Sequence, residues 1–460
     1  MKSMFETFEI ALNDLVSLVW GEYVLIPLLS VVGFYLTARL RAVPWRYLPH
    51  AITLLWKPQP CTTAGEISPF QALMTALSAT IGTGNIAGVA TAIYFGGPGA
   101  VFWMWTIALI GMATKYSEAL LAVKFRQVDR NGNYVGGPMY YIKNGLGARW
   151  TWLASAFAMF GMIAAFGIGN MVQSNSVADV LSSGYAIDTK ITGTILAGLT
   201  AAVIIGGIRR IADVVQRLVP FMAISYLLTA LLILVLNFEH LPMAFSTIVS
   251  SAFSGHAASG GFLGATIWMA IRWGFTRGIF SNESGLGSAA IAHGAARTNS
   301  PARQGMIAML GTFIDTIVMC TVTALVLIVT NAWQSGEQGA SMSAMAFTST
   351  LGAPGGHIVT IGLAIFAFTT IIGWSYYGER CAAYLFGTGI IPAYRIFWIA
   401  AILVGAVFKL NIVWAFADLF NGLMAIPNLI ALVLLSPVVF SETRNYLKAR
   451  ADLKIAPTSK

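Results

Sequence analysis

The stretch Thr80-Ile81-Gly82-Thr83-Gly84-Asn85-Ile86-Ala87-Gly88 lies inside an apolar run from about Ser68 to Phe95. That run is long enough to cross a hydrocarbon core of about 30 Å. Glycine weakens a helix, and threonine and asparagine offer the backbone other partners, so the centre of this run opposes a continuous helix. Unpaired backbone at membrane depth is tolerated only where protein buries it or where it lines a cavity. A helix broken there presents amide N–H groups on one half and carbonyls on the other, ready partners for a carboxylate and a cation. A small-residue face for close helix packing explains the same glycines. This segment alone does not separate the two readings.

The rest of the chain favours the broken helix. Hydrophobic residues make up 57% of the 460 and charged residues 10%, and the mean hydropathy is +0.74, which excludes a soluble globular protein. The expected class is an all-α polytopic membrane protein, one transmembrane domain over 1–460. It has about eleven spans, near 19–40, 69–96, 99–124, 151–178, 189–207, 213–237, 262–296, 304–331, 356–385, 391–409 and 412–437. Glu6, Glu9 and Asp14 in the first eighteen residues argue against a cleaved signal peptide. Cys61, Cys320 and Cys381 show no disulfide or metal spacing. Nor do His240, His256, His293 and His357 show metal-ligand spacing.

The net charge of +9 marks orientation and not a nucleic-acid partner. Of the 27 Lys and Arg residues, 21 fall in loops on one face, three (Lys2, Lys190, Lys409) on the other, and three (Lys115, Arg272, Arg277) within spans. By the positive-inside rule the N-terminus lies outside and the C-terminus in the cytoplasm, in a multi-pass protein of the cytoplasmic (inner) membrane.

Span 262–296 is the second unusual one, with Arg272-Trp273-Gly274-Phe275-Thr276-Arg277-Gly278 and then Ser281-Asn282-Glu283-Ser284-Gly285. With the first span set aside, ten remain. The interrupted segments are then the first of each five, repeat one at about 69–237 and repeat two at about 262–437. Interrupted helices at matching positions point to an inverted-repeat secondary transporter. The first and sixth of ten spans run in opposite directions, as inversion requires.

Such a transporter for zwitterions needs carboxylate donors, ammonium acceptors and a cation seat. The amides of Thr83 and Gly84 open a new half-helix suited to a carboxylate. Carbonyls near Ala79, Thr80 and Ile81 suit a cation or an ammonium. In span 356–385 the Phe366 carbonyl and the Thr369 and Thr370 hydroxyls share a face, being i, i+3 and i+4. With the Ser78 and Ile81 carbonyls they make five oxygens for a sodium ion. Threonine hydroxyls bonding back to the preceding turn explain the same pair. In span 151–178, Gln173 is a candidate ligand contact, with Phe166 two turns away on the same face. Bonding between helices is its alternative. Lys115 and Glu118 read as a structural pair or as snorkelling, and Asn282 and Glu283 as an inner network.

These residues resemble the alanine or glycine:cation symporter family, the sodium:alanine symporters. The resemblance covers nearly the whole length. It is most specific at SATIGTGNIAGVATAIYFGGPGAVFWMW (Ser78 to Trp105), GMATKYSEALLAVKFR (Gly111 to Arg126), GGPMYYI (Gly136 to Ile142), FGIGNMVQSNS (Phe166 to Ser176) and GFTRGIFSNESGLGSAAIAHGAA (Gly274 to Ala296). It implies a leucine-transporter-like fold, two inverted five-helix repeats plus one extra N-terminal helix (19–40), and sodium-coupled uptake of small neutral amino acids. Gly82-Thr83-Gly84-Asn85 matches the glycine-x-glycine-asparagine that the leucine-transporter pattern carries at the break of its first core helix. The match implies that the Thr83 and Gly84 amides take the substrate carboxylate and that the Ser78 and Ile81 carbonyls belong to a sodium site. Thr369 and Thr370 match that site's hydroxyl pair. Thr80 and Asn85 join the expected pocket, as do Trp273, Gly274 and Phe275, although the second broken helix departs from the wider pattern. Expected partners are alanine or glycine, sodium and the lipid bilayer. A larger neutral amino acid such as glutamine or serine, or proton coupling, is the alternative. A channel would need a continuous polar pore, and a membrane hydrolase a nucleophile with its base or a metal pair. Neither pattern is present, so no enzyme is expected.

Overall fold

The computed structural model describes residues 2–21, 23–56, 64–254, 266–408 and 411–455. Helices account for nearly all of it. In chain order they are α1 (Lys2–Val19), α2 (Leu25–Arg39), α3 (Val43–Arg46), α4 (Leu48–Leu55), α5 (Pro69–Thr80), α6 (Val89–Gly96), α7 (Gly99–Lys124), α8 (Pro138–Tyr141), α9 (Thr151–Phe166), α10 (Val172–Tyr185), α11 (Thr189–Ile204) and α12 (Gly207–Leu236). There follow α13 (Leu241–Ser254), α14 (Ile267–Asn282), α15 (Ser288–Gly294), α16 (Pro301–Thr312), α17 (Thr321–Val329), α18 (Gly339–Leu351), α19 (Ala353–Phe386), α20 (Ile391–Val407), α21 (Asn411–Leu434) and α22 (Ser436–Ile455). Two short antiparallel strands, β1 (Gln127–Val128) and β2 (Tyr134–Val135), follow α7.

Among the described residues, seven helical stretches are long and apolar enough to cross a membrane, and the pair α5 and 84–96, bent by 53° at its break, makes an eighth. Helices α2 and α11 are apolar but shorter. Within the first expected span, 19–40, the apolar helix is α2, which begins only at Leu25. The expected span 262–296 contains α14 and α15 from Ile267 onward; its first residues, 262–265, lie outside the described residues. Helices α13 and α18 occupy what the hydropathy pattern treats as connections.

Helix α7 is the buried centre, packed against α14, α16, α2, α13 and α15. Its near-uniform apolarity suits a helix covered on every side. Helix α5 starts at a capping box: Ser68 Oγ accepts from the Gln71 amide (3.1 Å) and Gln71 Oε1 from the Ser68 amide (2.9 Å), with Pro69 in the first turn. Helix α14 starts at Thr266, whose hydroxyl accepts from the Met269 amide (3.2 Å).

The second break falls at residues 283–287. Glu283 (φ 55°), Gly285 (φ 91°) and Gly287 (φ 80°) all adopt left-handed backbone there. This is later than the charged Arg272–Arg277 stretch, through which α14 runs unbroken. The chain ends of the two interrupted units meet in a parallel bridge between Ile67 and Ala296. The Glu66 amide donates to Ala295 O (2.9 Å) and the Arg297 amide to Ile67 O (2.6 Å).

Candidate functional site

Helical bonding in α5 ends where the Ile81 amide donates to Leu77 O (2.7 Å). The Gly82 amide, which would close the next turn on Ser78 O, donates instead to Asn85 Oδ1 (3.0 Å). The Ser78 carbonyl thereby loses its ordinary helical partner. The chain then re-enters helix as a π-helical turn, Gly84–Gly88, before α6. The break is as the glycines foretell, and it is a side chain, Asn85, that holds it open.

Three elements close on this break. A Cβ built on Gly82 would lie 2.5 Å from Thr370 Oγ1 of α19 and 3.7 Å from Gln173 Oε1 of α10. A Cβ on Gly84 would lie 3.3 Å from Ser281 Cα of α14. Gly82, Gly84, Thr370, Gln173 and Ser281 are thus brought together. The Thr83 hydroxyl and Gln173 Oε1 are buried without a hydrogen-bond partner among the described residues, a costly state in an apolar interior. Gln173 Nε2 donates to Ile168 O (3.0 Å). That leaves its carbonyl oxygen as an acceptor facing the break. Thr83 also lines a cavity of about 280 Å3 with Asn175, Asp179, Arg277, Phe280 and Trp414.

The Phe366, Thr369 and Thr370 oxygens converge, since both hydroxyls donate to Phe366 O at 2.8 and 3.0 Å. In this state they bond back along their own helix, as the alternative reading of the pair expects. Thr370 nevertheless stands against Gly82, and Gly373, one turn on, packs on Ser78 and Ala79. The Thr80 hydroxyl bonds back to Ala76 O (3.2 Å) and Leu77 O (3.3 Å).

Four expected pocket residues sit elsewhere. Gly274 packs against the α7 backbone, where a Cβ would meet Ala100 O at 2.4 Å, and Phe275 faces Trp103. Trp273 stacks on Phe95 with centroids 4.5 Å apart. All three precede the true break, because glycines inside a helix packed against a neighbour serve close approach and need no interruption. Phe166 packs on Tyr394 and Trp398 and lines an apolar pocket with Met162 and Phe397. The cause is the π-helical segment Gly167–Met171. Its extra residue turns everything after it by about 100° relative to an α-helix, so positions 166 and 173 no longer share a face.

Asp315 is an acidic residue to which the sequence pattern assigns no role. It lies in the π-helical segment Phe313–Cys320 and is fully buried. Its Oδ1 accepts from Asn85 Nδ2 (2.8 Å), and its Oδ2 from Ser281 Oγ (2.8 Å) and Thr316 Oγ1 (2.7 Å). One carboxylate thus ties the first break to the end of α14. The signal for it was an acidic residue within an apolar span, which marks function by default.

The second break has its own carboxylate. Glu118 Oε1 accepts from the Gly285 (3.0 Å) and Gly287 (3.2 Å) amides and from Asn428 Nδ2 (2.7 Å). Neither Lys115 nor Glu118 snorkels: both are buried, and Lys115 Nζ has no hydrogen-bond partner among the described residues. Asn282 does join a network, donating to Thr316 Oγ1 (3.0 Å) and accepting from the Ser284 amide (2.9 Å). Arg277 lies over the Trp273 and Phe280 rings.

Beyond α7, Arg126 Nη1 donates to Ala296 O (2.7 Å), and Nη2 donates to Thr298 O (2.7 Å) and Ala64 O (3.1 Å). Burial lowers its pKa from the usual guanidinium value. It clamps the ends of both interrupted units. Among the described residues no group of His, Cys, Asp and Glu forms a transition-metal site.

Two interrupted helices closing on each other inside an all-helical, multi-pass bundle define a membrane transporter. The fold is similar to that of MhsT, solved in complex with L-phenylalanine (TM-score 0.58, 14% identity, 81% of this chain and 89% of that one). The chain belongs to the sodium:alanine symporter family, whose model matches residues 5–459. The sodium/alanine symporter AgcS of Methanococcus maripaludis is 53% identical over 447 residues (96% of this chain, 97% of the relative). An uncharacterized transporter of Haemophilus influenzae is 52% identical over 445 residues (96% and 97%). The probable sodium/glutamine symporter GlnT of Bacillus subtilis is 38% identical over 441 residues (95% and 90%).

Proposed function

We propose that this protein is a sodium-coupled symporter that carries alanine and other small neutral amino acids into the cell by alternating access. The observation that carries this reading is the pair of orphaned polar atoms, Thr83 Oγ1 and Gln173 Oε1, beside a helix break that abuts Thr370. The family and the AgcS relative support the substrate and the ion.

In this reading the Thr83 and Gly84 amides take the substrate carboxylate at the start of the new half-helix. Gln173 Oε1 accepts from the ammonium. Sodium is bound by the Ser78, Ile81 and Phe366 carbonyls and the Thr369 and Thr370 hydroxyls, the hydroxyls rotating off Phe366 O to turn lone pairs to the ion. Phe280 and Ser281 lie close to Gly84 and so stand beside the seat of the substrate carboxylate, while the AgcS relative favours alanine over glutamine as substrate.

Sodium at the joint between α5 and α19 would stabilise one arrangement of the break, and the amino acid would complete closure against α14. Residues 69–237 and 262–437 form the two inverted repeats, and the face carrying the basic loops is cytoplasmic. The membrane potential adds about 2.3 kcal/mol per charge per 100 mV.

The test is uptake of labelled alanine in proteoliposomes. Saturable, electrogenic uptake that requires an inward sodium gradient is expected, with glycine competing better than glutamine. Uptake indifferent to sodium, or driven equally by a proton gradient alone, overturns the ion assignment.

A further inference from the structure

We propose that the basic hollow between residues 38–47 and α22 is a binding site for the headgroup of an anionic phospholipid. The hollow encloses about 690 Å3, and its lining includes Arg39, Arg41, Arg46, Arg444 and Lys448 with no acidic residue among the rest. None of the five makes an ion pair among the described residues. Five cations converging without an anion repel one another, and a phosphate diester relieves that repulsion. Arginine forks match phosphate oxygens in pairs.

The hollow is built, not incidental. Its walls come from α2 to α3 and from α22, which the sequence places far apart. Tyr35 OH bonds Ser436 Oγ (3.0 Å), and His50 Nε2 bonds Tyr446 OH (3.0 Å). Arg39 lies over the Phe440 ring and Arg450 over the Tyr47 ring. Between α2 and α3 two successive non-glycine residues, Arg41 (φ 53°) and Ala42 (φ 54°), hold left-handed backbone. Such strain persists only where surroundings fix it.

A lipid and not a free phosphate is favoured by what leads into the hollow. Val31 and Phe34 are 65% and 68% exposed on α2. Positions 31, 34 and 38 follow i, i+3, i+7 on one helix face, and Ala38 lines the hollow. An exposed apolar stripe therefore runs straight into a cationic cavity, apolar where acyl chains lie and basic where a headgroup sits. The site lies outside the interrupted helices and is independent of the substrate assignment.

The test uses the full chain, purified and delipidated in a neutral detergent. Binding is read by native mass spectrometry and by thermal unfolding with dioleoylphosphatidylglycerol, dioleoylphosphatidylcholine or inorganic phosphate. Phosphatidylglycerol is expected to be retained and to raise the melting temperature above the effect of phosphatidylcholine. The triple variant R41Q/R444Q/K448Q should bind it about a hundredfold more weakly, at roughly fivefold per charge removed. The single variant R444Q, about fivefold weaker, serves if the triple variant does not purify. R130Q/R149Q, which removes two exposed arginines elsewhere, should bind as wild type. Equal retention of phosphatidylglycerol by the triple variant, or by the single variant in its place, overturns the proposal. So does an equal loss in R130Q/R149Q, equal binding of phosphatidylcholine, or the same shift from inorganic phosphate at matched concentration.

Discussion

Asp315→Asn separates a coupling role for this carboxylate from a merely structural one. The change keeps shape and volume and exchanges one acceptor oxygen for an NH2 donor. Two orientations are open to it. With its nitrogen toward Asn85, two donors face each other; Asn85 must flip and release the Gly82 amide, which it holds at 3.0 Å. With its nitrogen toward Ser281 and Thr316, those hydroxyls must turn from donors into acceptors, and Thr316 already accepts from Asn282 (3.0 Å). Either way, at least one charge-assisted bond is lost and the others become neutral. The difference is about 1 kcal/mol per contact over three contacts, or roughly 2–3 kcal/mol at the break. If substrate binding requires the Gly82–Asn85 geometry, alanine affinity falls about thirty- to a hundredfold. Stability without substrate should change far less, because a buried charge has also been removed. Titration calorimetry with alanine in saturating sodium, beside thermal unfolding of the substrate-free protein, measures both. Wild-type alanine affinity in Asp315→Asn would refute the coupling of Asp315 to the break. A fall in stability with affinity retained would leave it a structural anchor alone.

Thr370→Ala should shift the sodium dependence of uptake rightward by roughly tenfold or more, because it removes a hydroxyl that stands against Gly82; an unchanged sodium titration puts the ion elsewhere. Gln173→Ala should weaken alanine binding by about ten- to a hundredfold through loss of an acceptor for a charged group. It should also lower stability without substrate by about 1 kcal/mol, since Nε2 no longer satisfies Ile168 O. Stability loss with intact affinity would make Gln173 a structural residue of its own helix, closing the π-helical turn at Ile168. Arg126→Gln should loosen the clamp on Ala64, Ala296 and Thr298. Hydrogen exchange at the Glu66, Arg297 and Thr298 amides should then quicken by roughly tenfold or more, and unchanged exchange would show that the parallel bridge holds without it.

What could be read from the sequence follows from what each signal reports. The first break was legible because glycine and asparagine in the middle of an apolar run are costly unless the backbone departs from helix there. The second was legible only as an interrupted span, because polar and charged residues run from Arg272 to Gly285, whereas the break itself is made by backbone. Glu283, Gly285 and Gly287 carry the left-handed conformations, and a charged residue on a helix needs only a cavity or a ring beside it. Phe166 was misassigned because a π-helical segment leaves no mark in residue spacing. In retrospect Gly167 and Gly169 hint at it: their missing side chains admit Ala417 and Trp374. The partners of Glu118 lie more than 160 positions away, beyond any local pattern.

Both breaks obey one rule, and it explains how they communicate. Backbone freed at membrane depth must find partners, and here charged or amide side chains from neighbouring elements supply them. Asn85 satisfies Gly82 and is itself held by Asp315; Glu118 satisfies Gly285 and Gly287. Between these anchors runs a short chain of bonds: Asp315 to Ser281 and Thr316, Thr316 to Asn282, and Asn282 to the Ser284 amide. A displacement of Asn85 would reach the residue next to the left-handed turn at Glu283 through bonds of 3.0 Å or less. Packed interfaces switch between discrete arrangements instead of deforming smoothly. Such a chain would let binding at one break bias the other without a contact between the ligand and α15, with Asp315 as its junction, alongside the direct packing of Gly84 on Ser281.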